Sequence, residues 1–198
     1  SVNQIKNHFE QRIAEFNEIK YINSNVYKFI NNNVKKIFNI YLKKIMKQKI
    51  INKYFNQNIY FLSPSDYGIH NSLKFKSKVF FFDFEYAGFD SSIKIICDFI
   101  YNPSNKIYDK VNLQNAWINE CCSIFSIKNP YIIQLIKPLF GLIWCLIILN
   151  EYKYTKWIQR SRANNNLISN RDHIKKNKFV FSKNLYDIIL KEIQNVKL

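Results

Sequence analysis

Glycine is scarce in this chain of 198 residues: there are three, Gly68, Gly88 and Gly141, and no two form a Gly-x-Gly arrangement. A glycine-rich turn that cradles nucleotide phosphates is thereby excluded from it. Carboxylates are also few, 14 against 30 lysines and arginines, which leaves a net charge of +16. Such a balance usually points to a polyanion partner. Here the excess is spread along the chain and travels with heavy use of Asn, Ile, Phe and Tyr, the residues of A/T-rich codons, so genome bias explains much of it. The four cysteines, Cys97, Cys121, Cys122 and Cys145, form no Cys-x-x-Cys pair and have no histidine at ligand spacing. That removes support for a zinc site and leaves buried thiols in a reducing cytosol. No basic-then-apolar leader is present, and the longest apolar run, Leu139 to Leu149, is too short to span a bilayer. A cytoplasmic protein without membrane contact is the expectation. The missing initiator methionine suggests a processed chain or a piece of something longer.

With 47% hydrophobic and 22% charged residues the chain has what a folded core requires. Ile5, Phe9, Ile13, Phe16 and Ile19, then Ile30, Val34, Ile37, Phe38, Tyr41, Leu42 and Ile45, recur in steps of three and four. This spacing predicts two amphipathic helices, near residues 3 to 20 and 25 to 50, separated by a break and N-cap at Asn23 to Asn25. Two short blocks do not sustain the heptads of a coiled coil.

The texture changes at Asn58. Ile59-Tyr60-Phe61-Leu62 suits a buried strand, Ser63 to Gly68 is turn chemistry, and Leu73 to Phe82 reads as a hairpin around a Lys-Ser-Lys turn. Beyond Pro103 the helical period returns, with Leu113, Trp117, Cys121 and Ile124 on one stripe, then an apolar segment from Tyr131 to Trp157 broken at Pro138. Ser161 to Lys178 is polar and basic, a surface loop by composition, and a last helix is capped at Ser182. The expected fold is mainly α with a small β-hairpin.

Because acidic residues are scarce, the group Asp66, Asp83, Glu85, Asp90 and Asp98 around the hairpin stands out. A hairpin folds its two ends together, which would bring Asn71 and Asp83 within reach of one divalent cation. Asp66 would project from the preceding loop toward whatever reacts there. Hard oxygen ligands of this kind suit magnesium.

The spacing of Asp66, Asn71 five residues on, and Asp83 after a hairpin is that of the protein-kinase catalytic arrangement. The segments Leu62-Ser63-Pro64-Ser65-Asp66-Tyr67-Gly68-Ile69-His70-Asn71 and Phe81-Phe82-Asp83-Phe84-Glu85-Tyr86-Ala87-Gly88-Phe89-Asp90, with Asp98 beyond, resemble the aminoglycoside phosphotransferase and choline kinase family. So does Gly141 to Glu151. The resemblance implies the C-terminal lobe of a protein-kinase-like α+β fold over residues 1 to 198, with ATP and Mg2+ as cofactors. Asp66 would be the catalytic base, Asn71 and Asp83 the metal ligands, and Asp98 a brace on the catalytic-loop backbone. Glu85 and Tyr86 would lie toward the substrate, a small molecule bearing a hydroxyl. Two departures stand against this. Pro64 and Ser65 replace the family's usual histidine and glycine, and nothing before Asn58 reads as the nucleotide lobe.

Plainer readings accompany each feature. His70 packs beside the loop, and Glu85 can pair with a lysine instead of a substrate. Trp117, Trp144 and Trp157, with Tyr86 and Phe89, invite an aromatic cage for a quaternary ammonium, but aromatics are 17% of the chain and core packing is the default. The basic stretch Arg160 to Lys178 lacks a nucleic-acid motif and reads as solvated. Two functions remain: an ATP-dependent phosphotransferase acting on a sugar, aminoglycoside or choline-like amino alcohol, and a non-catalytic, degenerate kinase-like binding module.

Overall fold

In the computed structural model, residues 1–17, 23–55, 59–153, 156–158 and 170–196 are described. They form two compact units, one of Ser1–Lys47 with Gly141–Leu198, the other Gln48–Phe140. The chain is mainly helical with a few short antiparallel strands, as the sequence period implies.

The first unit opens with α1 (Val2–Ala14), started by a capping box in which Ser1 Oγ accepts from Gln4 N at 3.2 Å. Its buried Phe9 lies flat on Phe38, with centroids 3.6 Å apart. Asn23 caps the next helix through Val26 N at 3.1 Å, at the expected break. That helix runs as α2 (Ser24–Lys28), a π-helical stretch Phe29–Lys35 and α3 (Lys36–Ile45). The part of the predicted first helix beyond residue 17 lies outside the described residues.

The apolar segment from Tyr131 is one helix, α7 in chain order (Tyr131–Ile148), with a 3₁₀ turn at Leu149–Tyr152. Pro138 stands inside it and does not break it, since the surrounding residues are buried all round and packing outweighs one lost backbone bond. Read from Tyr131 instead of Leu139, the stretch to Tyr152 is long and apolar enough to cross a bilayer, and 89% of its apolar 18-residue window is buried.

The last helix, α8 (Arg171–Asn195), also differs from expectation. Ser182 is not its cap. It sits mid-helix, fully buried, with Oγ donating to the Cys145 carbonyl at 2.9 Å. A serine can occupy a helix interior when its hydroxyl has such a partner. Residues 171–178, expected as loop from their polarity, are the first two turns of this helix; 160–169 lie outside the described residues. Lys153 is buried over the Phe16 ring and ion-paired with Glu15.

The second unit contains α4 (Lys49–Phe55), β1 (Phe61–Ser63), β2 (Ser72–Phe75), β3 (Lys78–Phe81), β4 (Gly88–Asp90), α5 (Ser92–Tyr101) and α6 (Val111–Ile124). The strands make two separate antiparallel pairs, β1 with β4 and β2 with β3. The β2–β3 hairpin spans 72–81, close to the expected position. β1 is not a buried strand: Leu62 is 76% exposed and its cross-strand partner Phe89 is 75% exposed. On α6 the buried stripe is Gln114, Ile118, Cys121 and Cys122, one position on from the expected one, with Leu113 and Ile124 at the surface. Gln114 faces inward because its Nε2 donates to the carbonyls of Ile107 and Tyr108, while its Oε1 accepts from buried Lys137 at 2.8 Å. A polarity pattern misses such a residue.

All four cysteines are free and buried. Burial, with Cys122 and Glu120 nearby, pushes the Cys121 thiol up to about 12, and burial raises Cys122 and Cys145 as well. These are inert packing groups.

Candidate functional site

Two strand registers build the site. In the β1–β4 pair Ser63 faces Gly88, so the loop leaving β1 (64–71) and the loop entering β4 (82–87) lie at the same end of that pair. In the hairpin Ser72 faces Phe81, and Phe82 N donates to the Asn71 carbonyl at 3.0 Å, which extends the pairing one residue further. Each register ties the Asp66–Asn71 loop to the segment carrying Asp83, Glu85 and Tyr86.

The first loop is tightly folded. The Asp66 carbonyl accepts from Gly68 N at 3.0 Å and from Asn71 Nδ2 at 3.3 Å. Asn71 is buried, its amide nitrogen is turned to the Asp66 carbonyl, and among the described residues no hydrogen bond reaches its Oδ1. Tyr67 anchors the loop from below, stacked on Phe81 at 4.7 Å and packed against Phe99 and Trp117. Trp117 stacks on Phe99 at 4.0 Å and donates its indole N–H to the Ile96 carbonyl, so it is core and not cage.

Asp66 itself is half-exposed. Its Oδ1 accepts from Asn102 Nδ2 at 3.1 Å, and its Oδ2 lies 3.4 Å from His70 Nε2. The His70 Nδ1 is 2.9 Å from Ser104 Oγ. Gly68 makes room for this arrangement: a Cβ there would stand 2.4 Å from the imidazole and 2.7 Å from Ser104 Oγ.

Asp83 is exposed, and among the described residues its carboxylate enters no hydrogen bond or ion pair. Its backbone is left-handed, with φ 64°, as is that of Ser65 with φ 60°. Non-glycine residues seldom hold that conformation unless neighbours impose it. At Ser65 the neighbours are visible: its N–H donates to Ser63 Oγ and its Oγ to Asp90 Oδ2, both at 3.0 Å. A serine where the resembled family has glycine is thus braced from both β1 and β4.

The Tyr86 hydroxyl is hydrogen-bonded to Glu85, which with burial and the negative charges of Glu85, Asp83 and Asp66 holds its pKa above the ordinary value. Among the described residues Glu85 forms no ion pair with a lysine.

Asp98 forms an ion pair with Lys94 at 2.9 Å, and Lys94 is bonded at the same distance to Asp90. Burial works to lower the Lys94 pKa, but the two carboxylates together hold it well above the usual lysine range. Asn105 braces the loop backbone: it accepts from Ile69 N at 2.8 Å and donates to the carbonyls of Tyr67 at 3.1 Å and Phe99 at 2.7 Å. Asn102 and Asn105, both buried, are site residues that sequence reasoning passed over. Their only signal was the Asn-Pro-Ser-Asn turn chemistry after Asp98.

Among the described residues no three His, Cys, Asp or Glu side chains are grouped to hold a metal. The available oxygens are Asn71 Oδ1 and the Asp83 carboxylate, one amide and one acid. Such a sparse set suits a cation that keeps several waters and substrate oxygens. Compared with protein-family models, curated proteins and solved structures, the chain has no match.

Proposed function

We propose that the chain is the catalytic and substrate-binding lobe of an ATP-dependent small-molecule phosphotransferase of the aminoglycoside phosphotransferase and choline kinase type. The observation that carries this reading is the paired register, Ser63 with Gly88 and Ser72 with Phe81, which sets the loop of Asp66 and Asn71 beside Asp83 and Tyr86. Two left-handed non-glycine residues flank the same place, where backbone strain tends to collect at working sites.

In this reading Asp66 accepts the acceptor hydroxyl's proton, with Asn102 and His70 fixing its carboxylate so that it meets the hydroxyl in one orientation. Asn71 and Asp83 would hold Mg2+, which neutralises charge on the ATP phosphates. Glu85 and Tyr86 border the acceptor. The exposed apolar residues around the site, Leu62, Leu73, Phe80 and Phe89 among them, are a surface that a nucleotide lobe would cover.

The alternative, a non-catalytic module, draws on two observations: both Asp66 oxygens already have partners, and Pro64-Ser65 replaces the family's usual pair. Manganese, a paramagnetic stand-in for magnesium, separates the two. Titrated into the protein with ATP, it should broaden the amide signals of Asn71, Phe82 and Asp83, and Asp83→Asn should abolish this while Asp66→Asn should not. Phosphoryl transfer, measured in protein that includes a nucleotide lobe, should fall by about a hundredfold or more in Asp66→Asn with ATP binding retained. In Asp83→Asn it should fall with partial recovery at high magnesium. Broadening elsewhere, or undiminished transfer in both variants, would remove the enzyme reading.

A further inference from the structure

The first unit contains an open surface pocket of about 430 Å3 that takes no part in the arrangement around Asp66. Two rows of side chains, each stepping by four residues, face it. Asn25, Phe29 and Asn33 come from α2 and the π-helical stretch, and Phe179, Lys183 and Asp187 from α8. Lys28 and Tyr186 complete the lining.

Its chemistry is uneven in an informative way. Phe29 meets Phe179 and Tyr186 edge-to-face, with centroids 5.6 and 5.5 Å apart, so three rings form one apolar wall. Lys28 and Lys183 bring two positive charges, and neither has a carboxylate within ion-pair distance among the described residues. Lys183 instead leans over the Phe179 ring at 5.8 Å, although Asp187 stands one turn along the same helix. The Asn33 amide lies near enough to the Tyr186 hydroxyl to counter part of the rise that burial gives its pKa, and the two make the polar edge of the wall.

The backbone supplies an independent pointer. Seven consecutive π-helical residues, Phe29–Lys35, are rare, and such widened turns recur at functional sites because they give up regular hydrogen bonding to re-aim side chains. Here Asn31 Nδ2 donates to the Tyr27 carbonyl at 3.0 Å, partly replacing the regular ladder, while Phe29 and Asn33 both reach the pocket.

We infer that this pocket binds a small planar aromatic anion, its ring against Phe29, Phe179 and Tyr186 and its acidic group between Lys28 and Lys183. The volume accommodates one or two rings. Two lysines against one aspartate select for negative charge, and the Asn25 amide and Asp187 can meet a hydroxyl or ring N–H at the far end.

4-Hydroxybenzoate is the probe, with cyclohexanecarboxylate and benzylamine as controls for the ring and for the charge. Titrated into the full chain and followed through the ring and amide signals of residues 25–33 and 179–187, 4-hydroxybenzoate should bind at least tenfold more tightly than either control. Lys28→Met and Lys183→Met, both at exposed positions, should each weaken it about tenfold without altering thermal unfolding. Phe29→Leu should weaken it while cyclohexanecarboxylate is unaffected. No shifts at these residues at millimolar probe, equal binding of benzylamine, or unchanged affinity in both lysine variants would overturn the proposal.

Discussion

Asn105→Ala removes a buried, uncharged side chain that makes four hydrogen bonds, and since the Ser104 hydroxyl on its Oδ1 also reaches Asn102 Oδ1, three of them are lost outright. The amide ties Ile69 N and the Tyr67 carbonyl of the candidate catalytic loop to the Phe99 carbonyl in the last turn of α5. That carbonyl belongs to the set a helix leaves unpaired at its C-terminus, so one side chain both caps the helix and holds the loop. At about 1 kcal/mol for each bond lost, Asn105→Ala should destabilise the second unit by about 3 kcal/mol. Urea unfolding gives the total, and hydrogen exchange at Ile69 should accelerate by a factor of about 100, on the order of what 3 kcal/mol allows after some re-solvation. Asn105→Asp adds a pH signature. It keeps the acceptor for Ile69 N but points a carboxylate at two carbonyl oxygens, so its folded-state pKa is raised. Its stability is then highest below the ordinary aspartate pKa of about 4 and declines as pH rises through the higher folded value. A cost below about 1 kcal/mol for Asn105→Ala, or unchanged Ile69 exchange, would show that water replaces the side chain and that the loop is held by other means.

Lys94→Met leaves Asp90 and Asp98 facing each other and should cost about 2 kcal/mol near neutral pH, partly recovered on acidification as one carboxylate takes a proton. In the native protein the raised Lys94 pKa has the opposite sense: its stabilisation is complete below the ordinary lysine value and is lost only as pH climbs above it, which alkaline unfolding series can check. Gly68→Ala should cost less than about 1 kcal/mol, because the half-exposed His70 ring can swing away, but it should break the contact with Ser104 and shift the imidazole NMR signals. Ser182→Ala should lower stability by about 1 kcal/mol through the lost bond to Cys145, measurable by thermal unfolding, where a cap at a frayed helix start would show as local fraying instead.

The helices near the N-terminus were legible because Phe9, Phe38, Tyr41 and Ile45 repeat with the helical period and are buried as that period implies. The hairpin was legible from its turn and its alternation. What escaped were residues whose role depends on partners distant in sequence. Ser182 reads as a cap until Cys145 is beside it, and Gln114 reads as surface until Ile107, Tyr108 and Lys137 surround it. Pro138 reads as a break because local propensity is counted without the packing that overrides it. At the site, the order Asp66, Asn71, Asp83 carried the register, since a hairpin between two residues fixes their approach. Asn102 and Asn105 were hidden because asparagine is so common in this chain that two more carry no information.

Every strand among the described residues is an edge. Each of the two β-pairs has only two strands, so both outer rims offer unpaired N–H and C=O groups, and the ribbon of β2 and β3 shows Leu73, Phe75, Val79 and Phe80 to solvent. A rim of this kind is a template for intermolecular β-pairing. Lys74, Lys76 and Lys78 interrupt it at alternating positions, and their mutual repulsion between copies keeps the ribbons from zipping together. The lysine excess of the chain, of little use as a guide to partners, here places like charges along an otherwise apolar ribbon. Acetylating these lysines, or screening them with salt, should promote assembly of copies through the hairpin.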